Sequence, residues 1–65
     1  GTIKRPDRIM FENNNVILLD YKTGAKEKSH HKQLDDYEHA LTGMGYIITG
    51  KYLLYLEHDE LLQVI

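Results

Sequence analysis

The chain has 65 residues, a net charge of −2 and no cysteine. This excludes a second domain, a disulfide framework, a thiolate zinc site and a strongly basic surface wrapped around nucleic acid. No apolar stretch is long enough to cross a bilayer, and no signal-peptide pattern opens the sequence.

The first element in chain order is a hairpin. The segment RPDRIMFENNNVILLDY holds two β-rich runs flanking Asn13, Asn14 and Asn15. Asparagine tolerates the left-handed backbone that tight hairpin turns need. TGAKEKS follows as a polar loop. A helix is predicted from about His30 to Leu41, because Leu34, Tyr37, Leu41 and Met44 recur on one helical face. Ser29 is its expected N-cap, and Gly43 or Gly45 its left-handed stop. YIITGKYLLYL reads as a strand bulged at Gly50, EHDE as a turn and LLQVI as a short last strand. The predicted fold is therefore α/β, in the order β-β-α-β-β. Lys51, Leu53 and Tyr55 alternate with Tyr52, Leu54 and Leu56, and both sets are largely apolar. A strand of that kind is expected to be central and covered on both faces. A chain of this size buries only about 60% of its unfolded surface. Without staples its core rarely supplies more than about 3–5 kcal/mol. Both points make the chain look like part of a larger domain whose other elements cover the sheet.

A two-residue turn at Asn13 and Asn14 fixes the hairpin register. Phe11 then faces Val16, Ile9 faces Leu18, Asp7 faces Asp20 and Arg5 faces Lys22. These side chains share one face, apolar near the turn and charged at its far end. Directly opposed carboxylates repel, and a divalent cation is the natural compensation. Lys22, two residues past Asp20, projects to the same side, where it can orient a water or offset developing charge. The plainer alternative is that Asp7, Asp20 and Lys22 are ordinary polar strand ends, the acids neutralised by Arg5 and Lys22.

Three motifs occur in order: Asp7-Arg8 after Pro6, Asp20-Tyr21-Lys22-Thr23, and Gln33-Leu34-Asp35-Asp36-Tyr37. Together they resemble the RecB-like nuclease domain of the PD-(D/E)xK superfamily, over about residues 1 to 56. That domain often ends bacterial helicase-nucleases with a UvrD/Rep-type motor. The resemblance implies a restriction-endonuclease-like core and Mg²⁺- or Mn²⁺-dependent hydrolysis of DNA. It further implies the exonuclease part of a helicase-nuclease polypeptide or complex, acting in DNA repair or recombination in the bacterial cytoplasm. Asp7, Asp20 and the carbonyl of Tyr21 would be metal ligands, and Lys22 would position the attacking water. Gln33 and Tyr37, four apart on the helix, would sit beside the site. The family domain also carries helices upstream of its Asp-Arg strand, which supply a further ligand, a histidine or an acid. Residues 1–65 are thus expected to be the C-terminal part of one nuclease domain, inactive or weakly active alone.

The remaining features have competing explanations. His30, His31, His39 and His58 show no zinc-ligand spacing and read as solvated side chains, although His30 and His31 near the helix start could touch phosphate. Lys22, Lys26, Lys28 and Lys32 make the one locally basic stretch, either a solvated loop or a phosphate-contacting one with Lys26 and Lys28 on DNA. Tyr37 is a core candidate as well as a site candidate. The rival to a nuclease is a non-catalytic module that binds DNA or docks on a motor domain.

Overall fold

A computed structural model describes residues 5–64. Along the chain run β1 (Arg8–Glu12), β2 (Asn15–Lys22), α1 (Lys28–Gly43), β3 (Ile47–Tyr55) and β4 (Glu60–Gln63). The strands form one sheet in the spatial order β1-β2-β3-β4. β1 and β4 run antiparallel to their neighbours, and the central pair β2–β3 is parallel. A parallel pair needs a crossover, which α1 supplies. No helix among the described residues is long and apolar enough to span a membrane.

The β1–β2 hairpin has the register expected from the sequence: Ile9 faces Leu18, Phe11 faces Val16 and Glu12 faces Asn15. Asn13 takes the left-handed conformation at φ 57°, which closes the turn in two residues. Asn14 keeps a second connection, because its carbonyl accepts the Ile47 N–H at 2.8 Å.

α1 starts at Lys28, two residues before the expected start. Glu27, not Ser29, occupies the capping position, and it makes no side-chain cap bond. Ser29 lies inside the first turn, and its hydroxyl turns to the Glu27 carboxylate at 3.5 Å. At the other end Met44 N–H reaches the Leu41 carbonyl, and Gly45 takes φ +98°. Of the two candidate stops, Gly45 is the left-handed one. Met44 lies past the last turn and is 71% exposed, so it does not extend the apolar face.

Leu34 and Leu41 of α1 pack on Val16 and Leu18 of β2, Leu53 and Tyr55 of β3, and Val64. Tyr37, Tyr46, Ile9, Ile48 and Leu62 close around that cluster. The β3 irregularity leaves Thr49 without a partner: Val16 pairs with Ile48 and Ile17 with Gly50. The bulge thus falls one residue before Gly50. Its effect is to put Lys51, Leu53 and Tyr55 on the helix side.

β3 is central, and among the described residues α1 covers one of its faces. On the other, Ile17, Leu19, Tyr52 and Leu54 are half-buried, while Met10, Tyr21 and Leu61 are exposed. One helix reaches one side of a sheet, so among the described residues this second face meets no covering layer. The last strand stops at Gln63. Val64 beyond it is buried and donates to the Lys51 carbonyl at 2.7 Å, and Ile65 lies outside the described residues.

Candidate functional site

Asp7 precedes β1, outside the paired register, and is tied to β2 by two backbone-to-side-chain hydrogen bonds. Its backbone N–H donates to Asp20 Oδ1 at 3.3 Å, and its own Oδ2 accepts the Tyr21 N–H at 2.8 Å. The two carboxylates therefore interlock at the carboxyl end of β2. Asp7 is exposed, whereas Asp20 is 4% exposed. Asp20 points inward because β2 alternates, and Val16 and Leu18 share its face in the core.

Lys22 completes the group. Its Nζ lies 2.9 Å from Asp20 Oδ2 and donates to Gln33 Oε1 at 2.8 Å. The Lys22 side chain is only 10% exposed, so little water competes for the ammonium. The expected Arg5–Lys22 pairing does not form within the sheet, since β1 begins at Arg8. Among the described residues Lys22 is the one cation paired with Asp20.

Burial pushes the Asp20 carboxyl up. The hydrogen bond from Asp7, together with the hydrogen bond and charge of Lys22, outweighs burial and leaves its pKa below the ordinary 3.8. Asp20 is thus ionised at neutral pH. An ionised buried carboxylate beside a second carboxylate is a donor set of hard oxygens, which suits Mg²⁺ or Mn²⁺. Asp7, Asp20 and the Tyr21 carbonyl fit such an ion by chemistry. Among the described residues, no cluster of three or more His, Cys, Asp or Glu side chains forms. Two carboxylates leave most of an octahedral shell to carbonyl, water and phosphate oxygens.

The helix candidates divide. Gln33 touches the site through Lys22. Tyr37 is half-buried against the core, and among the described residues its hydroxyl has no hydrogen-bond partner. Packing accounts for its helical spacing. Lys26 is drawn away from the carboxylates and forms both hydrogen bonds of an exposed ion pair with Glu60, each 2.7 Å long. Lys28 is exposed at the first turn of α1. Lys32 pairs with Asp36 at 2.8 Å one turn along the helix.

Two groupings were not foreseen from sequence. Lys51 is buried, and its ammonium lies 2.7 Å from both Asp35 and Glu38 of α1. The signal was present as the one charge among Leu53 and Tyr55. His30 Nδ1 lies 3.1 Å from the hydroxyl of fully buried Tyr55, so His30 is not a merely solvated side chain. That contact depends on the β2–β3 pairing and the crossover, for which no local pattern exists.

Cavities of about 290 and 300 Å³ lie at the opposite end of the parallel pair, lined by Glu38, Thr49 and Lys51 or by Met10, Phe11 and Ile17. The carboxylates instead sit at an open sheet end. Comparisons with family models, with curated proteins and with solved structures give no match.

Proposed function

We propose that the chain carries the catalytic core of a metal-dependent DNA nuclease, of restriction-endonuclease-like type and of the RecB-like kind that its motifs resemble. One observation supports this most: Asp7 and Asp20 interlock beside an ammonium held between Asp20 and Gln33. Ligands of open α/β sheets favour the carboxyl ends of parallel strands, which is where this group lies.

The reaction is hydrolysis of a phosphodiester. A water oxygen bonds to phosphorus, a P–O bond to one sugar breaks, and the departing sugar oxygen takes up a proton. The chemistry that Mg²⁺ or Mn²⁺ would supply when bound is polarisation of the phosphate and a lowered pKa for the attacking water. Asp7 and Asp20 would hold that ion with the Tyr21 carbonyl. Lys22 orients the water and offsets the charge that builds on the phosphate oxygens. Gln33 fixes the Lys22 ammonium. The placement of this core in a bacterial helicase-nuclease, with DNA and a motor domain as partners, rests on the motif resemblance alone.

The test is DNA nicking in Mg²⁺ by the full-length polypeptide. Asp20→Ala and Lys22→Ala are each expected to abolish cleavage with the fold retained. Unchanged cleavage by either variant overturns the mechanism. The open apolar sheet face favours a second reading, a docking module without catalysis. In that case the unaltered polypeptide would not cut DNA.

A further inference from the structure

Two links run side by side from sheet to helix at the carboxyl end of the parallel pair. One joins Lys22 to Gln33, the other Tyr55 to His30. Lys22 and Tyr55 are register partners on β2 and β3, which puts their backbones about 4.8 Å apart. His30 and Gln33 are three residues apart in α1, hence neighbours on one helix face. The His30–Tyr55 and Gln33–Lys22 links therefore lie on neighbouring strands along the same edge.

The two ring nitrogens have different surroundings. Nδ1 is fixed by the Tyr55 hydroxyl, which is inside the core. Nε2 faces the Glu27 carboxylate at 3.5 Å. Nε2 is the ring nitrogen turned away from the core, and in the tautomer that carries its N–H there, Nδ1 accepts from the tyrosine hydroxyl. The Glu27 side chain is 63% exposed. It is a loose acceptor that an incoming anion can replace.

We propose that His30 is a substrate-contacting residue of this site, its Nε2–H binding the DNA phosphate next to the one cleaved while Tyr55 holds the ring in place. Glu27 occupies that position until DNA arrives. The inference rests on the nuclease reading for the identity of the anion. Its geometry stands on the two adjacent links.

Two amide replacements separate contact from packing. His30→Asn keeps a group at the Nδ1 position for Tyr55 and removes the outer donor. His30→Gln puts an amide N–H near the Nε2 position. The affinity of a short DNA duplex for the full-length polypeptide is measured by fluorescence anisotropy, with Ca²⁺ in place of Mg²⁺ to read binding without turnover. Losing a hydrogen bond to a charged phosphate is expected to weaken binding about tenfold in His30→Ala and His30→Asn. His30→Gln should restore binding to within about twofold of the parent. Parent-like binding by His30→Asn, or no recovery in His30→Gln, overturns the proposal, as does a parent that binds no duplex. Nicking by Asp20→Ala in Mg²⁺, run alongside, reports on the nuclease reading separately. If that variant still cuts while His30→Asn binds weakly, the metal reading fails and the phosphate contact stands.

Discussion

Asp7→Asn and Asp20→Asn are isosteric changes at two touching carboxylates, and the structure gives them different consequences. Asp7 is exposed, and its Oδ2 accepts the Tyr21 N–H. An asparagine oxygen can keep that bond. Relief of repulsion between opposed like charges is worth about 0.2–1 kcal/mol. Replacing a charge-assisted hydrogen bond by a neutral one costs a similar amount at an exposed position. Asp7→Asn is therefore expected to fall within about 0.5 kcal/mol of the parent in metal-free buffer, since the two terms offset. Asp20 is buried and receives both the Asp7 N–H and the Lys22 ammonium. Its amide has one oxygen for these two donors, so either the Asp7 N–H or the buried ammonium faces an NH2 group, at a cost of about 1.5–3 kcal/mol. Mn²⁺ then separates ligand loss from fold damage. At a concentration tenfold above its dissociation constant, Mn²⁺ stabilises a binding fold by about 1.4 kcal/mol, a rise of about 6–11 °C in melting temperature at this chain length. The parent should show that rise and both variants should lose it. Urea and thermal unfolding followed by circular dichroism, with and without Mn²⁺, provide the measurement. A full Mn²⁺ response in Asp7→Asn, or a metal-free cost as large as that of Asp20→Asn, would refute the placing of Asp7 as a ligand.

Asp35→Asn with Glu38→Gln removes both charges paired with the buried Lys51 ammonium while leaving oxygens that accept from it, and is expected to cost about 1–3 kcal/mol. Adding Lys51→Met should recover most of that loss in urea unfolding; a double variant as stable as the parent removes any structural role for the triad. Acid should unfold the chain partly through Asp20. Its folded pKa is lowered from 3.8, so its contribution is present above about pH 4 and lost as pH falls through the folded value. Asp20→Asn should flatten that part of the stability profile, and an unchanged acid slope would show that other carboxylates carry it.

The hairpin was legible because its information is local. Two asparagines close the turn, and β alternation then sets which side chains face one another as far as Arg8 and Leu19, beyond which side-chain hydrogen bonds join Asp7 to Asp20 and Tyr21. The helix was legible through Leu34 and Leu41, which are buried on one face. Its ends were not, because Ser29 and Met44 suit the pattern while the backbone turns elsewhere. Ser29 was passed over when α1 began at Lys28, and Met44 fell past the Gly45 turn. The β3 alternation marked a central strand with two apolar faces but not what lies over the second. Residue types in Tyr52 and Leu54 resemble a buried strand, yet their face meets no second layer among the described residues. The contacts least visible in sequence join distant segments: Lys51 to Asp35 and Glu38, Lys26 to Glu60, and Tyr55 to His30. Each depends on where the crossover returns the chain, and the bulge at Thr49 sets that register.

Lys22 has two partners, and the difference between them bears on how the site works. Asp20 holds the ammonium by charge at 2.9 Å, and Gln33 by a neutral oxygen at 2.8 Å. A divalent cation at Asp7 and Asp20 would draw the Asp20 oxygens toward itself and repel the nearby ammonium. At about 4 Å two like charges cost about 1 kcal/mol per charge product in water and about 4 kcal/mol at a protein surface. With Asp20 as its sole anchor, Lys22 would leave as the metal arrived, and the group that orients the water would be lost when needed. Gln33 removes that conflict, because its oxygen holds the ammonium whichever way Asp20 turns. Two opposite effects follow for Lys22→Ala. Cation affinity should rise at least severalfold, since a repelling charge is gone while Asp7 and Asp20 remain. Cleavage should fall to background. A Mn²⁺ titration by calorimetry beside the nicking assay reads both. Weaker Mn²⁺ binding in Lys22→Ala would mean that Lys22 organises the carboxylates as ligands, and that its place is in metal binding and not beside the water.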